Sequence, residues 1–169
     1  EGVTAPGRGT GGRDRARGGM ITGLISAGDI RGKQGELTLL HTAGKLPSPR
    51  VLVAGLGKSG DFSIDKVRDL SAAIARFMRG KRITRYATIA HGAGIAGLDA
   101  GACAEAIAEG AILGLYRFDR HKKADDDVTA MESMTIVEND HARLNAFEAA
   151  AARGAIIADA VNFARDLAN

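Results

Sequence analysis

Tryptophan is absent from this sequence, cysteine occurs once, at Cys103, and aromatic residues make up 4% of the chain. One cysteine cannot build an internal disulfide framework, so the 169 residues must fold on an ordinary apolar core, and a reducing, cytoplasmic setting is the default expectation. No apolar run reaches the roughly 20 residues needed to span a bilayer, and no charged-then-apolar signal segment opens the chain, so no membrane partner is expected. G-x-S-x-G and H-E-x-x-H are also missing, which removes the serine-hydrolase elbow and the zincin helix.

Charge is present in both signs but unevenly placed. Residues 1 to 98 carry 16 Lys and Arg against 7 Asp and Glu, whereas residues 99 to 169 carry 7 against 13, so halves of +9 and −6 make the net +3. A basic half can attract nucleic acid, but with so few rings there is no stacking platform. The plainer reading is a solvated surface whose charges face other domains or subunits.

Along the chain, residues 1–20 are rich in Gly and Arg with little to bury, and are expected to be loosely ordered. A short helix is expected over 13–27 with Met20, Ile21, Leu24 and Ile25 as its apolar stripe. Strands are expected at 36–42 and 50–55, parted by Pro47-Ser48-Pro49 and close enough to form an antiparallel hairpin. Val67, Leu70, Ile74, Phe77 and Met78 recur at helical spacing and predict a helix over 65–79. A third strand at 82–91, an alanine-rich helix at 99–115, a fourth strand at 131–138 and a long helix over 140–167, capped by Asn139 or Asp140, complete the pattern. The order implies a layered α/β fold with a mixed β-sheet flanked by helices.

Three glycines, Gly55, Gly57 and Gly60, follow the second strand with the G-x-G-x-x-G spacing of a dinucleotide loop. Such a loop needs its helix to start at the glycines, so that free amides and the helix dipole meet the pyrophosphate. Here "DFSID" intervenes, with Asp61 and Ser63 as cap candidates, and the next strand ends in Ala90 and His91 instead of an acidic residue. A strand-terminating turn is the better reading, and Gly57-Lys58-Ser59-Gly60 lacks the spacing of a Walker loop. "HGAGIAG" at 91–97 is a candidate phosphate cradle or oxyanion loop. His91, Asp99 and Cys103 compose a conceivable thiol triad, although a cysteine within an alanine-rich helix is more often a small core residue. Asp125, Asp126 and Asp127 are neighbours that point apart instead of converging on a cation, and His41, His121 and His141 stand at no metal-ligand spacing.

"RVLVAGLGK" (50–58), "HGAGIAGLD" (91–99), "AEAIAEGAILGLYRFDRHK" (104–122) and "ADAVNFARDLAN" (158–169) occur in this order. Together they resemble the amino-terminal domain of the leucyl aminopeptidase (cytosol aminopeptidase) family, with "GLYRFDRHK" and "ARDLAN" the most specific pieces. The resemblance implies a macro-domain-like fold over 21–169, ending in a long helix that leads to a catalytic domain. It also implies, for the whole protein, a cytoplasmic metallo-aminopeptidase, a hydrolase that removes amino-terminal residues, leucine preferred, from peptide substrates. Two divalent ions, manganese or zinc, would serve it in a homo-hexamer, one polarising the peptide carbonyl while the bridging water becomes the nucleophile.

The family's metal and catalytic residues have no match here, so the resemblance assigns none to this chain and implies that it is inactive alone, serving assembly and access to the active site. The family-motif positions are Gly55, Gly57, Lys58, His91, Gly92, Tyr116, Arg117, Phe118, Asp119, Arg165, Asp166 and Asn169, as structural or domain-junction residues. The opening at Glu1 instead of methionine reads as a fragment, a trimmed piece or an incomplete reading frame. The alternative is a stand-alone macro-like module that binds ADP-ribose or a related nucleotide through 91–97.

Overall fold

The computed structural model describes residues 19–118 and 129–168, and the chain divides into two compact units, Glu1–Ser59 and Gly60–Asn169. In the first, α1 (Met20–Ala27) ends at Gly28, whose left-handed backbone turns its N–H back onto the Ile25 carbonyl at 3.1 Å. The expected helix thus runs from Met20, and residues 13–18, like the whole Gly/Arg-rich start to residue 18, lie outside the described residues. After α1, the Glu36 carboxylate accepts the N–H groups of Arg31 at 3.0 Å and Lys33 at 3.1 Å and folds that connection onto itself.

The expected hairpin forms. β1 (Leu37–His41) pairs antiparallel with β2 (Arg50–Ala54), from Leu37 opposite Ala54 to His41 opposite Arg50. Its long connection is held from inside by Thr42, whose buried hydroxyl donates to the Ser48 carbonyl at 2.8 Å and whose N–H donates to the Pro49 carbonyl at 2.9 Å. Among the described residues of this unit, Ile21 and Ile30 are the buried aliphatic side chains.

The second unit is built on three helices. α2 (Ile64–Gly80) starts at Ser63, whose hydroxyl accepts the Lys66 N–H, and of the expected stripe it buries Val67, Leu70, Ile74 and Met78, with Phe77 half-buried at its margin. β3 (Arg85–Ile89) is shorter than the 82–91 run suggests. Arg82 adopts a positive φ of 53° and the Ile83 N–H returns to the Met78 carbonyl at 3.0 Å, so residues 82–84 are used to unwind α2. α3 (Ala100–Leu115) is capped by Asp99, which accepts the Ala102 N–H at 2.9 Å. β4 (Ser133–Val137) pairs parallel with β3, Arg85 opposite Ser133 and Ile89 opposite Val137, so that β3, α3 and β4 make a parallel crossover. Asp140 caps a 3-10 turn at His141–Arg143 that feeds α4 (Leu144–Ala168). The architecture is α/β, with one antiparallel and one parallel strand pair and helices as the packing partners.

Small residues set the spacing of these helices. α3 packs on α2 along one side and on α4 along another. A Cβ at Gly110 would overlap the Arg68 backbone of α2, and one at Gly154 of α4 would overlap the Glu105 backbone of α3. Glycine at both points lets helix axes approach to where alanines such as Ala104 and Ala150 fill the seam with Phe147. Polar ties cross the same seams: the Ser71 hydroxyl donates to the Ile107 carbonyl at 2.7 Å, Arg68 reaches Glu109 at 2.7 Å and Arg153 reaches Glu105 at 3.0 Å, while within α2 Arg68 also reaches Asp65 at 2.6 Å. The shared carboxylates hold the Arg68 guanidinium above its ordinary pKa, with the Glu109 hydrogen bond the largest cause.

Candidate functional site

The "GLGK" glycines close a turn. The Gly55 N–H donates to the Glu36 carbonyl at 2.8 Å, its carbonyl accepts from Gly35 at 3.0 Å, and the Gly57 N–H donates to the Gly32 carbonyl at 3.0 Å. A Cβ at Gly55 would collide with the Lys33 carbonyl, so glycine is needed there for backbone approach. With these amides committed inside the first unit, the segment ends β2 and offers no phosphate loop; Lys58 is exposed beside it.

The 91–97 segment is likewise self-contained. Ala93, Gly94, Ile95 and Leu98 donate their N–H groups to the carbonyls of Ala90, Leu98, Gly92 and Ile95 at 2.9 to 3.1 Å, which leaves those amides unavailable to an anion. Gly92 takes a φ of 97°, and a side chain on it would strike Phe62 and Val67, with the Cys103 sulfur behind them at 3.4 Å. The loop is therefore pressed into the core by its first glycine.

The same packing brings His91, Asp99 and Cys103 into one neighbourhood and shows that they are not poised for nucleophilic chemistry. Cys103 is fully buried, and burial followed by the nearby Asp99 carboxylate pushes its thiol pKa upward, the wrong direction for a thiolate nucleophile. The His91 ring is 8% exposed; its Nε2 faces the Val67 carbonyl at 3.4 Å and its Nδ1 is buried without a hydrogen-bond partner. Because a carbonyl can only accept, Nε2 carries the proton, and burial holds the ring neutral by lowering its pKa. Tyr86, raised to about 12 by burial, is equally silent near neutral pH, and its hydroxyl rests on the Met134 sulfur at 3.1 Å. Among the described residues, no three His, Cys, Asp or Glu side chains converge where a metal ion could be held. The Asp125–Asp127 run and His121 lie outside the described residues.

The two most specific motifs meet in space. Tyr116, at the end of α3, donates its hydroxyl to the Asp166 carboxylate near the end of α4 at 2.9 Å. The Arg165 guanidinium stands 5.2 Å from the centre of the Tyr116 ring and donates to the Asn162 side chain at 3.3 Å. Arg79 of α2 closes the same end of the bundle by donating to the Leu115 carbonyl at 2.9 Å. Arg117 is exposed and Phe118 half-buried just beyond, while Asp119 and Asn169 lie outside the described residues. Residues 50 positions apart thus form one helix-end clamp. Asn162 and Arg79 belong to it without having been singled out from sequence; the i, i+3 spacing of Asn162 and Arg165 was the available signal.

The sequence signature described as "Cytosol aminopeptidase family, N-terminal domain" matches residues 9–125. The chain belongs to the cytosol aminopeptidase family. It is 36% identical over 150 residues to a probable cytosol aminopeptidase of Geobacter sulfurreducens, covering 88% of this chain and 29% of that protein. A probable cytosol aminopeptidase of Solibacter usitatus is 37% identical over 146 residues, covering 86% and 28%. The chain therefore spans about three-tenths of the length of these relatives, and the match is to the N-terminal domain of the family.

Solved structures agree on the fold. The bottromycin maturation enzyme BotP superposes with a TM-score of 0.68 at 26% identity, over 98% of this chain and 30% of that one, and a second BotP structure is a complex with Mn. A tomato leucine aminopeptidase mutant superposes with a TM-score of 0.67 at 22% identity, over 94% and 31%.

Proposed function

We propose that this domain is the non-catalytic front part of a longer cytoplasmic metallo-aminopeptidase that removes amino-terminal residues, leucine preferred, from peptides with two divalent ions, manganese or zinc. In this reading the ligands, the reactive water and the peptide site belong to the part of the relatives' length that has no counterpart here. The domain serves assembly, including the homo-hexamer, and access to the active site. The motif residues from Gly55 to Asn169 act through structure and at the domain junction.

The Tyr116–Asp166 clamp carries the proposal. It fixes the last turns of α4 against α3 and so gives a following domain a rigid base, while the side chains best suited to chemistry, His91 and Cys103, are held in unreactive forms. If two-metal chemistry operates in the longer protein, its role is to lower the pKa of the attacking water and polarise the scissile carbonyl.

The test is hydrolysis of leucine amide, with manganese or zinc, by the 169-residue chain and by the longer protein. The expected result is turnover by the longer protein alone. Turnover by the 169-residue chain contradicts a non-catalytic role.

A further inference from the structure

α4 is apolar on two opposite sides. Phe147, Ala150, Gly154 and Ala158 form the buried stripe against α3, all in the first part of the helix. At 3.6 residues per turn, Ile156, Ala160, Phe163 and Leu167 fall on the other side, with Ile157 flanking them. This second stripe is bare: Ile156 is 68%, Phe163 61% and Leu167 71% exposed. Of the seven large apolar side chains exposed among the described residues, Ile156, Phe163 and Leu167 lie on this stripe, and Ile157 and Val161 are exposed elsewhere on the same helix. Soluble proteins rarely leave so concentrated an apolar stripe in water, and a helix hydrophobic on both sides is usually sandwiched.

One observation bears on what covers it and a second on how it is held. The N-terminal-domain signature ends at residue 125, so α4, beginning at Leu144, lies past its matched end, and about seven-tenths of the relatives' length has no counterpart in this chain. The other observation is mechanical. Tyr116 and Arg165 hold the far end of α4 on the side of Asp166, so Phe163 and Leu167 are presented from a fixed base. A pre-ordered apolar stripe with an aromatic residue at its middle has the anatomy of an interface core, where one buried ring carries much of the energy.

We propose that the Ile156–Phe163–Leu167 face of α4 is the docking surface for the catalytic portion of the same polypeptide, making α4 the shared wall of the two domains. The inference rests on the reading under Proposed function and goes further by naming the surface and its occupant. The occupant is an apolar patch within the same molecule, so cover is intramolecular and independent of concentration.

Thiol labelling in the longer protein tests this, with Phe163→Cys, Leu167→Cys and Arg76→Cys made singly and read by peptide mass spectrometry. Arg76, exposed on α2, is the reference position. The native protein is expected to label at Phe163→Cys at least about tenfold more slowly than at Arg76→Cys, with equal rates in guanidinium and no change on dilution. Leu167→Cys gives the same reading if Phe163→Cys does not fold. Equal native rates overturn the docking surface, and shielding that vanishes on dilution overturns the occupant in favour of a second copy. Leucine amide hydrolysis by the same preparation separates the two layers: hydrolysis with an unshielded Phe163→Cys refutes this surface alone, and absence of hydrolysis refutes the underlying reading.

Discussion

His91 is buried, neutral and hydrogen-bonded through one nitrogen only, which makes it a source of acid sensitivity. Its pKa is lowered by burial from the ordinary 6.5, so below that pH the unfolded chain takes up a proton that the folded chain refuses. Stability present above pH 6.5 is therefore lost as the pH falls. The melting temperature should drop between about pH 7.5 and 5.5 more in the wild type than in His91→Gln, and an equal drop would remove His91 from the account. Cys103 gives a second expectation: with its thiol buried and its pKa raised, an aromatic disulfide reagent should modify it only on unfolding. Sequence alone placed His91, Asp99 and Cys103 close together along the chain. It could not show the burial and the Val67 carbonyl that take them out of chemistry, because those come from α2, more than twenty residues upstream.

The helices depend on small residues at their crossings. Gly154→Val should force α4 away from the Glu105 backbone and expose the Ala104–Phe147–Ala150 seam, at a cost of about 1–3 kcal/mol or more, read as a lower urea midpoint. A midpoint within error of wild type would show that the crossing is looser than the geometry here. Tyr116→Phe should be milder, about 1 kcal/mol for a partly exposed hydrogen bond, and should loosen chiefly the end of α4 in hydrogen exchange. Helix spacing was readable, since Val67, Leu70, Ile74 and Met78 are buried as their periodicity required. Ser63 and Asp140 act as the caps their residue types suggested, and Asp99 caps α3 without having been singled out as a cap. Strand ends were not readable, because Arg82 and Ile83 look apolar-alternating but serve the turn out of α2. The two-sidedness of α4 was present in the letters from Ile156 to Leu167, yet without a neighbour to define one side it looked like a single long helix.

Among the described residues the chain combines a unit of three helices, a hairpin unit and motifs that converge on a helix end, and it spans about three-tenths of its relatives. The family was legible from four ordered segments because they are structural necessities: glycines where backbones touch, and a tyrosine and an aspartate that must meet. Whether His91 and Cys103 are poised for chemistry was not legible from composition, since His, Cys and carboxylates occur here as they do in enzymes. The proposed function gives this domain a supporting role and leaves the chemistry to the rest of the protein. Its most direct test is steady-state hydrolysis of leucine amide by the longer protein, comparing wild type with Cys103→Ala and with Asp99→Asn, which keeps the helix cap. We expect kcat to stay within about twofold of wild type in both, whereas a loss of about a thousandfold, the scale seen when a member of a catalytic constellation is removed, would place chemistry in this domain and contradict the account.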